Sequence, residues 1–334
     1  MPLPSVAVFA MGGTIAMAGR GEHGVKPSLD AGALIDAVPQ LADVASIEAR
    51  TFRLLPSPEV TIPDLFALAD AIEAAVAAGA AGAVITHGTD TMEESAFVLD
   101  RILAVDAPVV LTGAMRNPTM AGPDGPANLL NAVRLAVHEP ARGLGVTVVM
   151  NDEIHAARFV QKGETSNPAA FRSFPPGPLG WFAEGAVRIA YRPGSRHALA
   201  VARDAEPVPV ALLTVTLGDD GRLIERALDA GYRGIVAECT GGGHAAGWVA
   251  DRLAEAAGRV PVVMASRTGA GEMLRRTYDF RGSETDLLAR GLIGAGWLDG
   301  LKARLLLTLL LMAGADDAAI RAAFAAWLDP DPAV

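Results

Sequence analysis

Ala83-Val84-Ile85-Thr86-His87-Gly88-Thr89-Asp90-Thr91-Met92-Glu93-Glu94 reads as a strand, a turn and the start of a helix. Ala83 to Thr86 is a short β-rich run, His87-Gly88 breaks it, and Thr91 with Glu94 three residues later has capping-box spacing for a helix beginning at Met92. The pattern recurs outward. Val6-Phe9, Pro108-Leu111, Val146-Met150, Ala211-Leu217, Gly234-Cys239 and Val260-Ala265 each end in a turn signal and lead into helical spacing. The Ala-rich stretch Ala67 to Ala83 reads as a packing helix. Continuously apolar strands alternating with helices build parallel sheets covered on both faces, so the predicted class is α/β. A larger N-terminal domain, mainly parallel sheet with helices on both faces, is expected over 1–190. A linker containing Arg192-Pro193-Gly194-Ser195-Arg196 occupies 191–208, and a smaller doubly wound parallel domain fills 209–334.

The chain has 334 residues, 51% hydrophobic and 20% charged, a globular composition long enough for about two cores. Its formal charge of −10, without a basic run, repels nucleic acid and anionic membrane on average, which leaves a small-molecule ligand as the expected partner. The longest apolar stretch, Leu305 to Ala315, falls short of the ~20 residues that cross a bilayer. Met1 to Phe9 lacks the basic segment of a secretory signal, and a single cysteine, Cys239, requires no oxidising compartment. A cytoplasmic location is expected.

In an open parallel sheet, ligands sit outside the carboxyl ends of the strands. That rule selects Gly12-Gly13-Thr14, His87-Gly88-Thr89-Asp90-Thr91, Thr112-Gly113-Ala114-Met115-Arg116 and Gly241-Gly242-Gly243-His244. Thr14 and Thr89 each follow a glycine, whose missing side chain lets a substrate approach the backbone. A threonine hydroxyl attacks only when something removes its proton. The plainer reading is open at this point: Thr14 ends a strand, and Asp90 and Thr91 cap a helix. Among 28 basic residues only Lys26, Lys162 and Lys302 are lysines, and lysine can lose its proton where arginine cannot. Lys162 follows the Val146-Met150 strand and is the candidate base, with Asp90 holding it; a solvated loop lysine is the alternative. His87 is read as structural, Cys239 as a buried apolar residue, and Asp124-Gly125-Pro126 as a turn opening a helix.

Taken in order, Met11-Gly12-Gly13-Thr14-Ile15-Ala16, Ala37-Val38-Pro39-Gln40-Leu41, Thr86 to Glu94, Gly113-Ala114-Met115-Arg116, Asp124-Gly125-Pro126-Ala127-Asn128, Met150-Asn151-Asp152 and Lys302-Ala303-Arg304 resemble the bacterial-type L-asparaginase/glutaminase family over nearly the whole chain. The resemblance implies hydrolysis of L-asparagine to L-aspartate and ammonia through an acyl-enzyme, with no metal or organic cofactor. It implies a homotetramer whose sites are shared between subunits. By matching motifs, Thr14 looks like the primary nucleophile, and Thr89, Lys162 and Asp90 look like a hydroxyl, its base and the orienting carboxylate. Substrate is expected to meet Gly13, Gly88 and Ser57, oxyanion-stabilising backbone N–H groups at Thr89 and Ala114, and Glu284 and His244 from a neighbouring subunit. Taken alone, Gly282-Ser283-Glu284 reads as an exposed turn and Ser57 as a turn serine.

The sequence departs from the family's pattern in three places. Residues 18–30 hold no tyrosine where the family has one on its mobile loop, Pro58 stands where glutamine is usual, and His244 occupies an asparagine position. An imidazole there makes binding sensitive to pH near neutrality. Loop 15–30, with Gly19, Gly21 and Gly24, is the expected lid. Two other readings stand beside hydrolysis: the amidase subunit of a tRNA-dependent amidotransferase, and a homologue that binds aspartate or asparagine without turnover.

Overall fold

The computed structural model describes residues 2–21, 24–27, 29–194 and 198–328. Of the segments named above, residues 22, 23 and 28 of the expected lid, 195–197 of the expected linker (with Ser195 and Arg196) and 329–334 lie outside the described residues. The chain divides into two compact units, Met1–Ala198 and Leu199–Val334.

The first unit runs through β1 (Ser5–Gly12), β2 (Met17–Gly21), β3 (Gly24–Pro27), α1 (Ala31–Asp36), β4 (Ser46–Leu55), α2 (Ile62–Ala77), β5 (Gly82–Thr86), α3 (Met92–Ile102), β6 (Val109–Thr112), α4 (Gly125–Ala136) and β7 (Val146–Met150). Shorter strands follow: β8 (Glu153–Ala156), β9 (Val160–Lys162), β10 (Phe171–Ser173), β11 (Gly180–Ala183) and β12 (Ala186–Ile189). Among the described residues, eight strands form one sheet in the order β12-β11-β8-β7-β6-β5-β1-β4. The strands from β7 to β4 are parallel, and β8, β11 and β12 extend the sheet antiparallel. Every residue of β5, β6 and β7 is buried, as a sheet covered on both faces requires. Val6, Val8 and Ala10 of β1 share a core with Leu129, Ala132 and Val133 of α4.

From β1 the chain leaves toward β4 on one side, whereas from β5 it leaves toward β6 on the other. The carboxyl ends of β1 and β5 therefore flank the point where strand order reverses, the usual place for a ligand crevice in such a sheet.

One helix end and one helix start correct local readings. α2 stops at Ala77, short of the expected Ala83, because Gly79 takes a left-handed φ of +104° and β5 begins at Gly82. Its start is a complete capping box, with Asp64 N–H donating to Thr61 Oγ1 and Thr61 N–H to Asp64 Oδ2. Partial burial pushes the Asp64 carboxyl up, but hydrogen bonds from Thr61 and Arg53 outweigh this and hold it below its ordinary range. The expected Thr91–Glu94 box does not form; Thr91 Oγ1 instead donates to the Ser57 carbonyl at 2.7 Å.

The second unit runs through β13 (Val210–Thr214), α5 (Arg222–Asp229), β14 (Gly234–Cys239), α6 (Gly247–Ala257), β15 (Val262–Ser266), α7 (Glu284–Ala289), β16 (Ile293–Gly294), α8 (Gly300–Met312) and α9 (Asp317–Ala325). Its sheet is parallel throughout, in the order β13-β14-β15-β16. The strand expected over Ala211–Leu217 ends at Thr214, and Leu217 is fully exposed. Cys239 is buried, and burial pushes its thiol up to about 12. Asp299 caps α8, and the buried Lys302 places its Nζ 2.6 Å from Asp299 Oδ2. Among the described residues no helix is long and apolar enough to cross a membrane.

Candidate active site

Three loops of the first unit meet through missing side chains. β1 ends at Gly12, and Gly12 and the following Gly13 have φ of +100° and +81°, a conformation that favours glycine. A Cβ on Gly13 would lie 2.3 Å from the Gly88 Cα, and one on Gly88 would lie 2.7 Å from the Ser57 Cβ. The chain after β1 is thus pressed against the chain after β5, and Thr14, partly exposed at the start of a 3-10 turn over Thr14–Ala16, follows directly. Ser57 is buried: its Oγ accepts from the Asp90 N–H at 3.2 Å while its carbonyl accepts from Thr91.

Lys162 ends β9 and joins Thr89 to Asp90. Its Nζ donates to Thr89 Oγ1 at 2.9 Å and to Asp90 Oδ1 at 2.5 Å. The Thr89 residue is buried and the Lys162 side chain is 13% exposed, whereas the Asp90 side chain is 65% exposed. The position of Lys162 is set by pairing of β9 with β10 and by Glu93, whose Oε2 accepts the Lys162 backbone N–H at 3.2 Å. Glu93 was not singled out from the sequence as a partner of Lys162. Its one local signal is a place in the first turn of α3. A hydroxyl touching an amine that touches a carboxylate is an arrangement in which a proton can leave the alcohol as its oxygen attacks an electrophilic carbon.

The loop after β6 supplies Ala114, which is buried. Asp124 stands at the N-cap of α4, with Pro126 second in the helix, but it makes no capping bond; its carboxylate accepts the Met115 and Arg116 N–H groups at 3.0 and 2.8 Å. Asn128 Nδ2 donates to the Gly113 carbonyl at 3.0 Å, a contact with no signal in the sequence. His87 is buried, and its Nδ1 lies 2.7 Å from the Gly88 carbonyl. Burial lowers its basicity.

Glu284 and His244 belong to the second unit. Glu284 is fully buried rather than part of an exposed turn, because its Oε1 accepts the Thr277 and Tyr278 N–H groups at 2.7 and 2.8 Å. Its Oε2 lies 3.1 Å from His244 Nε2. Burial pushes this carboxyl up, but the backbone N–H groups of Tyr278 and Thr277, with His244, hold it below its ordinary range. The His244 ring sits edge-on to Tyr278 and Phe280, with centroids 4.9 and 5.3 Å away. Among the described residues no group of three or more His, Cys, Asp or Glu could hold a metal ion.

Residues 5–194 match the family model "Asparaginase, N-terminal", and residues 209–324 match "Glutaminase/Asparaginase C-terminal domain". The chain is 36% identical to a probable periplasmic L-asparaginase of Haemophilus influenzae, covering 96% of this chain and 93% of that one. It is also 36% identical to L-asparaginase 2 of Escherichia coli, covering 97% and 93%. A crystal structure of a probable cytoplasmic L-asparaginase from Campylobacter jejuni superposes with a TM-score of 0.86 at 34% identity, over 96% of this chain and 99% of that chain. Two family models that together span most of the chain, and relatives similar from end to end, lead to one conclusion: this chain belongs to the asparaginase family.

Proposed function

We propose that the chain is an L-asparagine amidohydrolase that releases L-aspartate and ammonia through a threonine acyl-enzyme. The observation that carries this reading is Lys162 Nζ bridging Thr89 Oγ1 and Asp90 Oδ1 at the strand-order reversal. Its relatives' names, L-asparaginase, supply the substrate. Thr14 Oγ attacks the side-chain amide carbon, its proton passes through the Thr89–Lys162–Asp90 relay to the departing nitrogen, and ammonia leaves. Water then attacks the aspartyl ester, gives one proton back through the relay to Thr14, and frees the acid. The developing oxyanion is met by the Thr89 and Ala114 N–H groups. Asp90 and Glu284 hold the α-ammonium, Ser57 the α-carboxylate, and Gly13 and Gly88 leave room for the substrate.

In this reading residues 1–190 form the domain that carries the threonines, 191–208 the linker and 209–334 the second domain. The chain works in the cytoplasm as a homotetramer, with Glu284 and His244 serving a neighbour's site and loop 15–30 closing over substrate.

Acid quenching during turnover, followed by mass mapping of the aspartyl adduct, tests the chemistry. An adduct on Thr14 supports it, one on Thr89 exchanges the two threonines' roles, and none on either threonine overturns the covalent route. Thr14→Ala and Thr89→Val should each abolish ammonia release in folded protein, and wild-type turnover in either ends the assignment. Co-refolding inactive Thr89→Val with inactive Glu284→Gln should restore part of the activity if sites are shared; no recovery contradicts sharing.

A further inference from the structure

The Thr89 and Ala114 N–H groups belong to the peptide units that begin at the Gly88 and Gly113 carbonyls. Both units are trans. In a trans peptide the C=O and N–H point to opposite sides, so whatever grips the carbonyl aims the N–H the other way. Each carbonyl is gripped by a buried side chain: His87 Nδ1 at 2.7 Å from Gly88 O, and Asn128 Nδ2 at 3.0 Å from Gly113 O. The two loops are neighbours, since a Cβ on Gly113 would lie 2.6 Å from the His87 carbonyl oxygen and 3.5 Å from the Thr89 Cγ2.

We propose that His87 and Asn128 are a pair of positioning residues that aim the two oxyanion-stabilising N–H groups; this rests on the hydrolytic reading above. The His87 ring makes one hydrogen bond among the described residues, because its buried Nε2 has no partner. A carbonyl only accepts, so the proton sits on Nδ1, and burial disfavours a second proton on the ring. The Asn128 amide is oriented from its other end, where Oδ1 accepts the Asn151 N–H at 3.0 Å. Its Nδ2 also reaches Asp124 Oδ2 at 3.2 Å, and Asp124 takes the next two N–H groups of the same loop. The Gly113–Arg116 loop is thereby fixed from behind, and the Ala114 N–H is aimed away from Asn128.

The test compares His87→Leu, His87→Asn and Asn128→Asp. Leucine fills much of the ring's volume without a donor, whereas the smaller asparagine leaves more void but places its amide nitrogen where the ring carried Nδ1. Outright loss of one oxyanion donor costs about 10²–10³ in kcat, so misaiming one should cost about 10–100-fold in His87→Leu and Asn128→Asp. KM for L-asparagine and Kd for L-aspartate should stay within about twofold, the sign of an interaction made in the transition state. His87→Asn should recover most of kcat while being the less stable histidine variant. A purely structural histidine gives the opposite order, with kcat following stability. That order, a loss confined to KM, or unchanged kcat in His87→Leu and Asn128→Asp overturns the inference and leaves the hydrolytic reading standing. Wild-type protein that releases no ammonia from L-asparagine overturns both.

Discussion

Lys162 and Lys302 each hold a carboxylate at almost the same distance, 2.5 Å to Asp90 and 2.6 Å to Asp299. The Lys302 pair is local: both residues lie at the start of α8, the lysine side chain is 1% exposed, and Asp299 also caps the helix. The Lys162 pair is assembled from β9 and the loop before α3, it includes the Thr89 hydroxyl, and its carboxylate opens to solvent. Ion-pair length therefore does not separate a structural lysine from one placed for chemistry. What marks Lys162 is the Thr89 hydroxyl on its Nζ, together with the exposure of its acid.

The largest expected effect breaks the comparison at its functional end. Lys162→Met should lower ammonia release by about 10⁴-fold, the upper range for loss of a positioned acid–base group, with an unchanged unfolding midpoint. Equal loss of stability and activity would make Lys162 a second structural lysine. At the other end, Lys302→Met leaves Asp299 facing a partly buried gap and should destabilise by about 3 kcal/mol in urea titration, with kcat preserved in the folded fraction. Preserved stability would show that the pair around α8 is dispensable.

Acid titration sharpens the comparison by separating unfolding from inhibition. His155 is buried with its Nδ1 at 2.9 Å from Ser173 Oγ, and burial lowers its pKa from 6.5 to about 4. The unfolded chain takes up a proton that the native state refuses. This contribution is therefore whole above pH 6.5, and roughly 3 kcal/mol is lost as pH falls toward 4. His155→Gln should flatten stability over that window in denaturant melts at several pH values; an unchanged slope would remove His155 as its source. The smallest effect concerns the two helix starts. Thr61→Ala should cost about 1 kcal/mol through its cap, whereas Thr91→Ala should act through the Ser57 loop and disturb KM for L-asparagine more than stability.

Continuously apolar strands were legible because both faces of β1, β5, β6 and β7 are buried and local composition is enough to mark them. The antiparallel strands β8, β11 and β12 were not, since runs such as Glu153–Ala156 mix polar with apolar residues and draw their stability from partners far along the chain. Thr91 shows the same limit. Its spacing to Glu94 fits a capping box, but a carbonyl 34 residues away claims the hydroxyl. Lysine scarcity pointed to Lys162, and the motifs pointed to Thr89 and Asp90; their convergence depends on the β9–β10 pairing, which has no local signature. Burial of Glu284 was likewise hidden, because two backbone N–H groups replace the water that an isolated Gly-Ser-Glu turn would keep.

Cys239 has a practical consequence. The chain's one sulfhydryl is enclosed at the end of β14, where burial pushes its pKa up to about 12, so maleimides and disulfide reagents should leave the native protein untouched. A cysteine engineered on an exposed helix such as α9 would be the single handle for polymer attachment or a fluorophore, with no need to remove the native one first.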